Sequence, residues 1–154
     1  MEKGILQMLA DINTVDELWS MDFIQKIFYD KAALEHIFTG FVSGERFQGY
    51  HTEIMYPNKY NQDSYCKNKK LKKDKVYRLY LEDEHKMSDC FPLTMGVADI
   101  ILAIDEAYED SKRKKWEKQS SGYGYSKTYG LTILIVKNKN NKIVDAYPPL
   151  MENK

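Results

Sequence analysis

Two of the three histidines, His36 and His51, flank a stretch that contains Gly40, Gly44 and Gly49. An imidazole can give or take a proton near neutrality, because its ordinary pKa is about 6.5. Two imidazoles and one ammonium form a sufficient kit for cleaving RNA without a metal. One group takes the proton of the 2′-hydroxyl, a second protonates the departing 5′-oxygen, and positive charge stabilises the crowded phosphorane. His36 and His51 are the candidate pair, with a lysine for the third role. Spacing alone leaves metal ligation open as another use. No third ligand stands nearby at the usual spacing, so no metal and no cofactor is expected. Glycine tolerates backbone angles and close approaches that bulkier residues resist. A turn that folds two histidines toward one phosphate would need both.

The elements that must position these groups come from a chain of 154 residues, 43% hydrophobic, which suits one domain with one real core. Its 23 basic residues balance 23 acidic ones, so no global positive field draws it to nucleic acid, although a local basic groove stays open. Cys66 and Cys90 are the two cysteines, and they form neither a disulfide framework nor a zinc signature. A reducing compartment is the expected place of action. No apolar run has the length of a signal peptide core or of a membrane span, so no membrane partner is expected.

Helical spacing of Ile5, Leu6, Leu9 and Ile12, then of Leu18, Trp19, Phe23, Ile27 and Phe28, predicts one or two amphipathic helices over 5–28. Thr14 and Glu17 read as a capping box that breaks the run near residue 13. A short helix over Lys31 to Ile37 would carry His36 near its C-terminal end. GYHTEIMY (49–56) has strand composition, and residues 57–75, with six lysines from Lys67 onward, read as an exposed loop. VYRLYLED alternates as a half-buried strand, and VADIILAIDEAYED (97–110) has the apolar stripe of a secure helix. SSGYGYS reads as a loop after a basic run. The chain closes with two β-rich segments around KNKNNK, a hairpin signal. Helices lead, antiparallel strands follow and one helix crosses between them, which predicts an α+β fold with a cleft between sheets.

EHIFTGFVSGERFQGYHTE (35–53) resembles the EHIF-x-G … G-[FY]-H signature of bacterial EndoU-type endoribonucleases. The resemblance continues in order through VYRLYLED, Lys86 followed by CFP, IILAIDEAYED and KNKNNKIVDAYPP, and so covers roughly 33–150. It implies that His51 is the base for the 2′-hydroxyl, His36 the acid and Lys86 the cationic member of the set. It places Tyr147 against the ribose and base. Cys90 falls where relatives carry a serine that recognises uracil, with Ser88 as the substitute hydroxyl, and Thr128 would line the same cleft. The implied activity is metal-independent cleavage of single-stranded RNA or tRNA at uridine, leaving 2′,3′-cyclic phosphate and 5′-hydroxyl ends. The alternative, to which the Cys90 departure gives room, is an inactive RNA-binding module on the same fold.

Family members occur as toxin domains whose producers carry an immunity protein. A cognate immunity protein is therefore the expected partner beside RNA, and the cytoplasm of a target cell the expected place of action. With no delivery module in the sequence, the chain fits an isolated or processed toxin domain. Residues 1–30 would form a helical segment outside the signature, packed as one unit with the nuclease domain at 31–154. His85 reads as an exposed strand-end residue. The lysines at 67–75 and 112–118 read as solvated charge, or as contacts to RNA phosphates beyond the scissile one.

Overall fold

In the computed structural model, residues 3–43, 46–55, 74–81, 86–113 and 120–150 are described. Four short helices lead: α1 (Lys3–Ala10), α2 (Val15–Trp19), α3 (Asp22–Ile27) and α4 (Lys31–Phe38). The expected break near residue 13 is present. Thr14 caps α2, its hydroxyl oxygen accepting from the Glu17 N–H at 3.1 Å while the hydroxyl donates to the Glu17 carboxylate at 3.0 Å. A second break at Ser20 and Met21 makes three helices where one or two were expected over 5–28. Asp30 caps α4 by accepting from the Ala33 N–H at 2.9 Å, which fixes where the helix carrying His36 begins.

The strands are all antiparallel. β1 (Phe41–Ser43) pairs with β2 (Arg46–Gln48), and β3 (Tyr77–Leu81) with β4 (Lys86–Cys90). β5 (Ser121–Ser126), β6 (Leu131–Lys137) and β7 (Ile143–Tyr147) form a three-stranded sheet in that order. Helix α5 (Val97–Lys112) crosses between β4 and β5. The architecture is α+β, as the element order predicts. No helix among the described residues is long and apolar enough to cross a membrane.

SGYGYS is a strand, not the expected loop, and its glycines explain why. Gly124 lies so close to α5 that a Cβ there would overlap the Ala107 carbonyl, and the alternate residues Tyr123 and Tyr125 point to the other face. Small residues let the strand press on the helix backbone. Ile133 and Ile135 of β6 and Ala146 of β7 share the face turned to α5, in register with Gly124 and Gly122. The final hairpin is as expected. Its turn closes through the Asn138 N–H donating to the Lys142 carbonyl at 2.9 Å, and Asn141 takes a positive φ of 64°.

One apolar cluster runs from Leu9, Leu18, Ile24 and Phe28 of the leading helices through Leu34 and Ile37 of α4 to Ile100, Ile104, Ile133 and Ala146. A smaller one holds Tyr50, Tyr77, Leu79 and Cys90 beneath the β3–β4 pair.

Candidate active site

His36 stands in the last turn of α4, where the final carbonyls of a helix lack partners within it. The chain leaves α4 through Gly40 (φ 67°), forms the β1–β2 hairpin and returns at Gly49–His51. There the Tyr50 N–H donates to the His36 carbonyl at 2.6 Å and the His51 N–H to the Ile37 carbonyl at 2.8 Å. GYHTE is therefore a clasp on the helix end rather than the expected strand. Gly49 (φ 83°) and Tyr50 (φ 76°) both adopt left-handed angles that a strand does not. A Cβ on Gly49 would overlap the His36 carbonyl, so this position requires glycine. The His51 carbonyl accepts from the Phe91 N–H at 2.8 Å, which ties the clasp to the exit of β4. Backbone bonds thus fix both histidines relative to each other. Gly44 lies outside the described residues.

The His51 ring is held on two sides. Its Nδ1 lies 2.8 Å from the Asp89 carbonyl and 3.1 Å from the Ser88 hydroxyl, which itself donates to the Tyr50 carbonyl at 2.6 Å. A carbonyl can only accept, so Nδ1 carries the hydrogen and neutral His51 keeps its lone pair on Nε2. The Tyr147 ring stacks on the imidazole, with centroids 4.6 Å apart and planes 18° from parallel. Nε2 faces Asp145, 3.6 Å from Oδ1, and His36 Nδ1 lies 4.0 Å from Oδ2 of the same carboxylate. Both distances exceed hydrogen-bond length, so Asp145 attracts each ring by charge, and only when that imidazole is protonated.

Burial pushes the Asp145 carboxyl up, but His51, His36 and the Ala146 N–H outweigh it and hold the group below the usual carboxylate range. Burial, with the negative charges of Asp145 and Asp89 and the nearby Tyr123, pushes the Tyr147 phenol up. Behind them Arg78 grips Asp89 across the β3–β4 pair, Nε to Oδ1 at 2.6 Å, and the Leu150 N–H donates to the other oxygen at 2.9 Å. These groups surround a cleft of about 410 Å³, which Gln48, Gly49 and Met87 complete. That volume is in the range of small-ligand sites.

Of the residues singled out in the sequence, His36, His51, Ser88 and Tyr147 line this cleft. Ser88 is buried, and its hydroxyl is spent on His51 and the Gly49–Tyr50 backbone. Lys86 opens β4, paired with Leu81, and its side chain lies outside the described part, as do His85 and the lysines at 67–73 and 114–118. Two expected substrate contacts are elsewhere. Cys90 is fully buried in the small cluster, its thiol donating to the Tyr50 carbonyl, and burial followed by the charge of Glu53 pushes that thiol up. Thr128 sits in the β5–β6 turn, where its N–H and hydroxyl both donate to Glu106 of α5.

Asp145, Asp89 and Arg78 are cleft residues that the sequence reading left out. Asp145 had a signal: it precedes Tyr147 by two on a strand, and that spacing puts both on one face. Among the described residues, no group of three or more His, Cys, Asp and Glu is arranged to hold a metal ion. The family described as bacterial EndoU nuclease matches residues 30–150. No curated protein gives a match. Nor does any solved structure.

Proposed function

The chain belongs to the bacterial EndoU nuclease family, and from that premise we propose that it is a metal-independent endoribonuclease cleaving single-stranded RNA or tRNA at uridine. The observation that carries this reading is the convergence of His36 and His51 on one cleft, with Tyr147 stacked on the second imidazole. His51 Nε2 takes the proton of the 2′-hydroxyl, the 2′-oxygen attacks phosphorus, and the 5′-oxygen leaves with a proton from His36. The products are a 2′,3′-cyclic phosphate and a 5′-hydroxyl, with no water consumed. Lys86 supplies charge to the phosphorane, while Arg78, which lines the cleft, neutralises Asp89 there. Asp89 and Ser88 position His51, while the Tyr147 ring offers a face to the ribose and base.

The biological setting that goes with this activity is a toxin domain acting in the cytoplasm of a target cell, with a cognate immunity protein that blocks the cleft. The reading is tested with an oligonucleotide carrying one uridine, in chelator. The expected result is cleavage at that uridine and none when it is replaced by 2′-deoxyuridine. Cleavage of the deoxy substrate at the same rate would mean that the nucleophile is not the 2′-hydroxyl.

A further inference from the structure

The sheet β5–β6–β7 has one face turned to α5 and one turned away. On the outward face, Tyr123, Leu134 and Tyr147 stand in register as a single row across all three strands. Tyr147 ends that row in the cleft, against His51. Tyr123 ends it on the outer strand, 52% exposed, and Tyr125 lies beside it on the same face, 46% exposed. Among the described residues six large hydrophobic side chains stay exposed, and Tyr123 and Tyr125 are the two that share one sheet face. Here they continue the surface that begins at the candidate catalytic imidazole.

We propose that Tyr123 and Tyr125 form a stacking subsite for a nucleobase that flanks the scissile phosphate of single-stranded RNA. This deepens the reading above and rests on it. A tyrosine ring on an open antiparallel sheet presents a flat π face to a base, and such stacking tolerates any base because every base has one. Two strand spacings separate Tyr123 from Tyr147, about 10 Å, so a strand seated in the cleft passes over Leu134 to reach it. Continuity with the cleft selects RNA as the occupant. The hydroxyls also suit the place, since a tyrosine keeps its polar tip in water while its ring is covered.

The test compares a uridine-containing dinucleotide, which ends at the cleft, with a single-stranded oligonucleotide of about ten nucleotides. Wild-type protein should show the lower KM on the longer substrate. Tyr123→Ala and Tyr125→Ala should raise that KM, about tenfold for one lost stack, with kcat preserved and with dinucleotide kinetics like those of wild type. Tyr123→Phe should behave as wild type, because the ring and not the hydroxyl does the binding. Equal KM for Tyr123→Ala and wild type on the long substrate would overturn the subsite and leave the face to a protein partner. An equal loss on both substrates would overturn it as well, since that marks a general defect. Failure of the wild-type chain to cleave either substrate would instead overturn the endoribonuclease reading.

Discussion

A carboxylate between two imidazoles is the least expected feature of this cleft, because the substrate that the histidines suit is itself an anion. Neither histidine is within hydrogen-bond length of Asp145, so the carboxylate acts on each ring through charge once that ring is protonated. Its depressed carboxyl means that ionised Asp145 stabilises the folded chain above the ordinary carboxylate range, near pH 4, and that this contribution is lost as pH falls through the depressed value. The difference in stability between wild type and Asp145→Asn should therefore be largest while Asp145 is ionised and the imidazoles still carry their protons, and should close as pH falls through the depressed carboxyl value. Denaturant titrations across that range check it, and a gap independent of pH would contradict it. The same variant should lose roughly ten- to a hundredfold in kcat, part of what positioned acid–base groups contribute.

Cys90 yields a simpler expectation. Buried and with its thiol pushed up, it should resist a thiol reagent in a Cys66→Ser background until the chain unfolds, and prompt labelling of the native protein would contradict its placement. The histidines and Tyr147 were legible as residues because a motif carried them. Asp145 was legible only in part: its spacing of two from Tyr147 puts both on one strand face, but that spacing does not say that the face meets a helix-end histidine.

At the scale of elements, the site depends on a clasp that joins the end of α4 to the Gly49–His51 segment. Gly49→Ala would force both a left-handed angle and an overlap with the His36 carbonyl. It should destabilise the fold by more than about 2 kcal/mol and lower cleavage in whatever fraction stays folded. A variant as stable and as active as wild type would show that the clasp does not set the histidine geometry. The helices were legible: Thr14 caps α2 as its pairing with Glu17 predicts, and the stripe of Val97, Ile100, Ile101 and Ile104 marks α5. Two segments were not, for opposite reasons. GYHTE has strand composition, but its N–H groups satisfy the carbonyls of a helix end, which local composition cannot foresee. SGYGYS has loop composition, but Gly124 serves a strand there because the backbone of α5 leaves no room for a Cβ.

For the molecule as a whole, the leading helices and the three-stranded sheet share one apolar cluster, from Leu9 to Ala146. The cleft lies where α4, the β3–β4 pair and β7 meet, so its residues come from widely separated parts of the chain. The order of elements in the sequence predicted α+β, but the meeting of β7 with α4 is a long-range pairing, sealed by the Tyr29 N–H donating to the Ile143 carbonyl at 2.9 Å. Everything proposed for function turns on what His36 and His51 do together in that cleft. The most direct measurement incubates the full chain with a uridine-containing RNA in chelator and identifies the chemical ends of the products. The expected result is 2′,3′-cyclic phosphate and 5′-hydroxyl ends from wild type, and no products from folded His36→Ala or His51→Ala. Cleavage by both variants at the wild-type rate, or products with 3′-hydroxyl ends, would contradict it.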